Sequence, residues 1–301
     1  MTKNTSLILL LLTFLFISTT SAQEVCEAPA SPSEYQSHEN VTYKKNLGMD
    51  IFLPKNITRD LPVAMIVHGG SWIKGDRKDF NKLAIQLTSM GYAAVTVSYS
   101  FANTARGKFP VPVEDLRCAV KTLKNKSSVY SMNTERITTI GFSAGAHLAA
   151  ELALTADSTA LSDKDCPVDT DTPEVHGAVG YYGPYDLRKT EDLNFSQIWI
   201  LNNFLGASPT SQPEKAALAS PAAQINDEAL PFYIVHAAND DTVPVRSSQE
   251  FHVALQASKN TVKYVETNDG AHGLRLFDNR PFANEATCGS IRYLKDFASI
   301  R

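Results

Sequence analysis

The sequence predicts an α/β fold in which helices cover both faces of a mostly parallel central sheet. Apolar runs without polar alternation, such as Pro62 to Val67, are typical of strands buried on both faces. Between most of these runs lie helix-like stretches of ten or more residues, which parallel connections require. No linker or repeat interrupts this alternation. We therefore expect one domain over residues 23–301.

The first 22 residues are predicted to be a secretory signal peptide. Leu7 to Ile17 is an unbroken run of Leu, Ile, Phe and Thr, shorter than the ~20 apolar residues of a membrane-spanning helix. Thr20, Ser21 and Ala22 supply small residues for cleavage after Ala22. No second apolar run of spanning length follows. We expect a secreted or periplasmic chain without integral membrane association.

The strands are predicted from short apolar or β-branched runs bounded by turn residues, the first two forming a hairpin near Gly48. In chain order they are Asn40–Tyr43, Met49–Leu53, Pro62–Val67, Tyr92–Ser98, Ile137–Ile140, Val175–Tyr182, Pro231–Val235 and Thr261–Val265.

The helices are predicted from apolar residues at helical spacing and from terminal glycines such as Gly91. They are Asp79–Met90, Val113–Lys124, a helix after Gly141 to about Ala156, Ser247–Ala257 and Asn284–Ala298. Residues 157–172 and 186–213 do not fit the alternation. The second stretch contains an apolar helical patch, Phe195 to Leu205, which we expect to lean over the mouth of a pocket.

Composition excludes several function classes. Lys and Arg number 28 against 32 Asp and Glu, a net charge of -4, so binding to nucleic acid through phosphate neutralisation is not expected. No His, Asp or Glu cluster has metal-ligand spacing, and no glycine-rich phosphate loop follows the first strand. We expect neither metal nor organic cofactor. The oligomeric state stays open.

Residues 141–145, Gly-Phe-Ser-Ala-Gly, match the G-x-S-x-G turn that presents a nucleophilic serine. The segment lies between an apolar strand and a helix-forming stretch, the context that this turn needs. The glycines on either side of Ser143 allow backbone segments to crowd there. Ser143 is therefore the candidate nucleophile.

Chain order predicts the other catalytic residues, because in this arrangement an acid and then a histidine follow the serine. Of the histidines after Ser143, only His272 lies on a glycine-flanked loop after the last predicted strand. Asp240 and Asp241 follow the preceding strand, where a carboxylate could accept the imidazole Nδ1 proton. Local chemistry does not choose between these two aspartates.

The segment His-Gly-Gly-Ser-Trp, residues 68–72, follows the strand Pro62–Val67 and is a candidate oxyanion-binding loop. Its glycines let backbone amides approach a ligand oxygen. The Ala144 amide, at a helix N-terminus, would be a second donor. Trp72 would either flank a bound acyl group or fill the core, and the sequence favours neither.

Taken together, residues 68–72, 141–147, 181–187, 239–245 and 271–273 resemble the α/β-hydrolase superfamily. Within it, the chain is similar to the BD-FAE-like esterases, near the hormone-sensitive-lipase and kynurenine-formamidase groups, over about residues 40–300. The resemblance implies an α/β-hydrolase fold, with Asp240 as the acid because it falls four residues after the histidine that ends its strand. It also implies Gly70 and Ser71 as oxyanion donors, although Ser71 stands where the family has a third glycine, and Ala146 replaces a common glycine.

The activity that the resemblance implies is serine-dependent hydrolysis of carboxylic esters. Together with export it suggests a small-molecule or carbohydrate substrate, such as an acetyl or feruloyl ester of a polysaccharide. A small-ester or lipid carboxylesterase is the nearest alternative. A binding protein with a silent hydrolase fold is a further alternative, although such proteins usually lack a triad member.

The four cysteines indicate two disulfides in an exported chain, with three possible pairings. On helical spacing, Cys118 is expected to face outward, opposite the apolar stripe of its helix. In the α/β-hydrolase fold the helices before and after the nucleophile's strand lie side by side. The resemblance therefore favours Cys118 with Cys166, which leaves Cys26 with Cys288.

Overall fold

The computed structural model describes residues 25–104, 106–161, 164–168, 172–227 and 229–299. The predicted signal peptide lies outside the described residues. Within these ranges lie eight strands: β1 (Tyr35–Lys44), β2 (Leu47–Pro54), β3 (Leu61–Val67), β4 (Ala93–Val97), β5 (Met132–Phe142), β6 (Gly177–Tyr181), β7 (Pro231–Ala237) and β8 (Thr261–Thr267). They form one sheet in the order β1-β2-β4-β3-β5-β6-β7-β8.

Among the described strands, the sheet is parallel from β4 to β8, and β2 runs antiparallel to both of its neighbours, β1 and β4. The helices are α1 (Asn81–Thr88), α2 (Val111–Asn125), α3 (Ala144–Leu154), α4 (Phe195–Leu205), α5 (Pro213–Leu218), α6 (Arg246–Gln256) and α7 (Asn284–Ser299). In the described ranges, no helix has both the length and the apolar character needed to cross a bilayer. The predicted fold class, a mostly parallel sheet with helices on both faces, is confirmed.

Strand β3 explains why the sequence shows continuous apolar runs. All seven of its residues are buried. Successive side chains point to opposite faces of a strand, so Val63, Met65 and Val67 enter the core beside α2 and α3, whereas Ala64 and Ile66 enter the core beside α1 and α7. Burying such side chains stabilises the fold by roughly 1.5–3 kcal/mol each. Alternation with polar residues would bring a polar group into one of these cores.

The register of β3 and β5 brings the two sequence motifs together. Val67 pairs with Gly141 at the carboxyl ends of these neighbouring strands. The loop after β3 therefore lies beside the turn after β5. Ligand sites of open α/β sheets occur at this edge.

The largest differences from the predicted elements lie in polar segments. β1 begins at Tyr35 and β5 at Met132, several residues before the predicted strands, because backbone pairing extends into residues without an apolar pattern. The hairpin turns at residues 45–46 rather than at Gly48, and Asn46 takes the positive φ of 65°. The predicted helix Asp79–Met90 is a 3₁₀ turn over Arg77–Phe80 followed by α1.

The prediction that Cys118 faces outward is wrong, because this residue is completely buried. The face of α2 opposite the apolar stripe is covered by β1, where the Tyr43 carbonyl oxygen lies 3.5 Å from the Cys118 sulfur. It is also covered by the segment that carries Cys166. The predicted pairing is confirmed: Cys118 bonds Cys166 and Cys26 bonds Cys288, with Cα–Cα distances of 5.4 and 5.2 Å.

Loss of the Cys26–Cys288 bond should destabilise the fold. This bond joins positions 262 residues apart, so its removal frees a long loop of the unfolded chain, an effect typically worth ~2–4 kcal/mol. Urea unfolding of a Cys26→Ala/Cys288→Ala variant measures the loss. Non-reducing peptide mapping of the unmodified protein is the control, and a Cys118–Cys288 peptide would contradict the pairing.

Candidate active site

Ser143 occupies a strained turn between β5 and α3. Its φ of 55° and ψ of -123° lie in a region that residues other than glycine seldom adopt. The flanking glycines are required by space: a Cβ added at Gly141 would lie 2.2 Å from the Gly145 carbonyl oxygen, and one at Gly145 would lie 2.2 Å from that of Val67. The turn therefore has the geometry of a nucleophile elbow, as predicted from residues 141–145.

The fold brings His272 and Asp240 to this serine from two separate loops. His272 lies in a 3₁₀ turn after β8, and its Nε2 is 2.8 Å from Ser143 Oγ. Its Nδ1 is 2.8 Å from Oδ2 of Asp240, in the loop after β7. An ionised carboxylate only accepts hydrogen bonds, so Nδ1 carries the proton. The lone pair of Nε2 is then free to accept the serine proton.

Burial and hydrogen bonding distinguish Asp240 from Asp241. The Asp240 side chain is fully buried, and its Oδ1 accepts hydrogen bonds from the amides of Thr242 and Val243 at 2.8 and 2.9 Å. Burial alone would raise the pKa of this carboxyl, but hydrogen bonds from His236, His272 and Val243 hold it well below its usual value. Asp240 is thus a buried anion at neutral pH. The side chain of Asp241 is exposed and lies outside this network.

The loop after β3 contacts the elbow through its backbone. A Cβ at Gly69 would lie 2.8 Å from the Phe142 carbonyl oxygen. Gly70, Ser71 and Trp72 all have positive φ, at 116°, 55° and 60°, so Ser71 adopts a glycine-like conformation at the family's third-glycine position. Of the three predicted oxyanion donors, Ser71 and Ala144 line the same cavity as Ser143. Gly70 directly precedes Ser71 in the chain and is not among the residues that line the cavity.

The cavity at Ser143 has a volume of about 280 Å³. Its inner wall is mainly apolar, formed by Trp72, Leu187, Leu193, Ile200, Leu201 and Val243. Its mouth carries exposed charged side chains, which are Lys189, Glu191, Asp192 and Arg246. Helix α4, the predicted apolar patch, contributes Ile200 and Leu201 to this wall rather than only leaning over the mouth, and the Gln197 side chain donates to the Thr242 carbonyl oxygen at 2.8 Å. Among the described residues, no group of His, Cys, Asp and Glu is arranged to hold a metal ion.

Trp72 lines the cavity and also packs in the core. Only 4% of its surface is exposed. Its ring stacks on Phe204 of α4 at 4.3 Å, and its indole N–H donates to Nδ1 of His147 at 3.3 Å. Nε2 of His147 then donates to the Ala219 carbonyl at 2.8 Å. Burial lowers the pKa of His147 to about 4, so this ring is neutral.

Tyr182 and His236 contact the site, although the sequence predicted no role for either. The ring of Tyr182 lies 4.4 Å from that of His272 and limits its rotation. Tyr182 belongs to the segment 181–187 that contributed to the resemblance, which was the available signal. Nε2 of His236, at the end of β7, lies 3.2 Å from Oδ2 of Asp240. Its position four residues before Asp240 served only as a spacing in the family resemblance and did not indicate this contact.

Fold and site together define an α/β-hydrolase. The sequence model of the BD-FAE family matches residues 49–255, more than half of the chain. The chain belongs to the BD-FAE family.

Individual proteins agree with this assignment. The esterase LipQ of Mycobacterium tuberculosis is 33% identical over 221 residues, covering 72% of this chain and 51% of LipQ. The probable carboxylic ester hydrolase LipM of the same organism is 28% identical over 235 residues, covering 77% and 53%. This chain thus spans about half the length of these relatives. A truncated carbohydrate esterase from gut microbiota has a similar structure, with a TM-score of 0.75, 21% identity, and coverage of 91% of this chain and 100% of that one.

The buried His147 should make stability depend on pH. Its pKa is about 4 in the folded protein and 6.5 ordinarily, so the unfolded chain binds the proton first as the pH falls. The wild type should lose up to ~3 kcal/mol of unfolding free energy between pH 6.5 and 4 through this group. Urea unfolding across that range, with His147→Gln as the reference, isolates the contribution. Parallel curves for the two proteins would contradict it.

Proposed function

We propose that this chain is an exported serine esterase that cleaves carboxylic esters through an acyl-enzyme on Ser143. The observation that carries the proposal is the hydrogen-bonded series from Ser143 through His272 to Asp240, which opens into a largely apolar cavity. The names of LipQ, an esterase, and LipM, a probable carboxylic ester hydrolase, support the same chemistry.

Each member of the series would have a separate role. Ser143 Oγ attacks the ester carbonyl carbon while Nε2 of His272 takes its proton, and Asp240 stabilises the imidazolium that forms. His272 then returns the proton to the departing alkoxide, which leaves as the alcohol. Water attacks the acyl-enzyme with the same assistance, releasing the carboxylic acid and restoring the serine.

The negative charge that develops on the carbonyl oxygen needs hydrogen-bond donors. The Ala144 amide lies in the first turn of α3, where amides have no partner within the helix. The Ser71 amide is the second donor on the same cavity, and Gly70 before it has the positive φ of 116° that this loop requires. A single donor of this kind contributes roughly 10²- to 10³-fold to kcat.

The cavity suggests how an ester would lie. Its apolar inner wall, with Trp72 and Leu201, suits the acyl group, and its exposed polar mouth suits the alcohol. We propose a carbohydrate as that alcohol, with an acetyl or feruloyl acyl group, on the basis of the family resemblance and the expected export. The likeness to a carbohydrate esterase, at 21% identity, supports the fold alone. Assays on acetylated xylan, feruloylated arabinoxylan and simple acetate esters would rank these substrates.

Export is supported by two observations. The first 22 residues have the pattern of a signal peptide. The two disulfides are of the kind that persists in oxidising compartments. N-terminal sequencing of the mature protein tests this part of the proposal, because cleavage after Ala22 would leave Gln23 as the first residue.

The substitution Ser143→Ala should abolish hydrolysis of a chromogenic acetate ester. Loss of the nucleophile is expected to lower kcat by several orders of magnitude. Far-UV circular dichroism should not change, because the turn accommodates a methyl group. Near-wild-type turnover by this variant would disprove the serine mechanism.

Asp240→Asn should cost far more activity than Asp241→Asn. An amide at position 240 would offer the wrong partner to Nδ1 of His272 and favour the wrong tautomer, a loss of roughly 10⁴-fold in a related triad. Asp241 is exposed and makes no contact with His272, which makes its variant the matched control. The reverse order of kcat/KM would show that the acid is misassigned.

A further inference from the structure

His236 is a completely buried histidine whose two ring nitrogens both have polar neighbours. Its Nδ1 lies 2.7 Å from Oγ of Ser248, in the first turn of α6. Its Nε2 lies 3.0 Å from the Val243 carbonyl oxygen and 3.2 Å from Oδ2 of Asp240. Burying an imidazole costs free energy unless its polar atoms are hydrogen-bonded, and these contacts offset that cost.

The neighbours decide where the proton of this ring lies. A carbonyl and a carboxylate oxygen only accept hydrogen bonds, and both face Nε2, so Nε2 carries the proton and shares it between Val243 and Asp240. Nδ1 then accepts a hydrogen bond from the Ser248 hydroxyl. Ser248 thus satisfies Nδ1 in the tautomer whose Nε2 donates to the acid.

The second histidine completes the support of Asp240. Oδ1 of Asp240 is fixed by the amides of Thr242 and Val243. Oδ2 of Asp240 accepts from the N–H groups of both His236 and His272. With both oxygens held, the carboxylate cannot rotate without losing a hydrogen bond. Oδ2 therefore stays directed at Nδ1 of His272.

We propose that His236 is a positioning residue of the catalytic apparatus, which orients Asp240 toward His272, and that the Ser248 hydroxyl supports the ring in the tautomer in which it does so. This inference rests on the proposed esterase function. His236 does not approach the serine or the cavity, and it acts only through the carboxylate. The alternative is that its ring merely satisfies the Val243 carbonyl and fills the core.

Two amide substitutions with different reach separate these possibilities. The side-chain nitrogen of Gln can occupy the place of Nε2 and donate to Asp240, whereas that of Asn reaches only the place of Nδ1. His236→Asn should lower kcat by about 10- to 100-fold, by analogy with the loss seen when the outer hydrogen-bond partners of metal ligands are removed. KM should stay within about twofold of the wild-type value, since no substrate contact changes. His236→Gln should recover most of kcat.

Further measurements make the test specific. In His236→Asn, labelling of Ser143 by a fluorophosphonate should slow in parallel with kcat, because labelling depends on the same activated hydroxyl. Ser248→Ala should show a smaller loss than His236→Asn. His176→Gln is the matched control: His176 accepts a hydrogen bond from the Ile137 amide at the start of the parallel strands, away from Ser143, and its replacement should leave kcat unchanged.

The results distinguish this inference from the proposed function. An active wild type whose Asn and Gln variants keep full kcat would overturn the positioning role alone. Equal losses in both variants, accompanied by equal falls in Tm, would show a merely structural role and would also overturn it. A wild-type protein that neither hydrolyses esters nor labels at Ser143 would overturn both proposals.

Discussion

Backbone contact between the β5–α3 turn and the end of β3 is the constraint on which the site depends. There is no room for a side chain at Gly141 or Gly145, and the loop at Gly69 touches Phe142 directly. These contacts hold Ser143 at a positive φ, a conformation that costs of order 1–3 kcal/mol. The surrounding buried strands supply the rigidity that maintains this strain. The serine and its neighbouring amides consequently share one edge of the sheet.

The second constraint is the buried charge of Asp240. A carboxylate removed from water is costly unless its oxygens are fully hydrogen-bonded. Here two donors come from its own loop, one from His236 at the end of β7, and one from His272 after β8. The anion therefore joins segments that are separate in the sequence. The position of His272 depends on this anion as well as on its contact with Tyr182.

Much of the cavity wall is contributed by the segment between β6 and β7, outside the regular alternation. Helix α4 buries Leu201 and Phe204 toward Trp72, while Phe195 and Trp199 remain exposed on its outer side. Ion pairs from Lys189 and Asp192 connect this segment to α6 across the mouth of the cavity. Such a wall can vary in shape without altering the sheet or the serine, because connecting segments tolerate change better than the core.

The sequence by itself determined the features that depend on neighbours along the chain. Continuous apolar runs indicated buried parallel strands, and the glycine-bounded turn with its chain order indicated Ser143 and His272. Local chemistry could not separate Asp240 from its neighbour Asp241, and only the family spacing favoured it. The tertiary structure decided that the Asp240 side chain is buried and hydrogen-bonded while Asp241 is exposed. It also buried Cys118, since β1, from a distant part of the chain, covers the face that helical periodicity had placed outside, and it supplied Ser248 of α6 as the partner of His236. Such contacts join residues that no local pattern relates, so they appear only when the chain is folded.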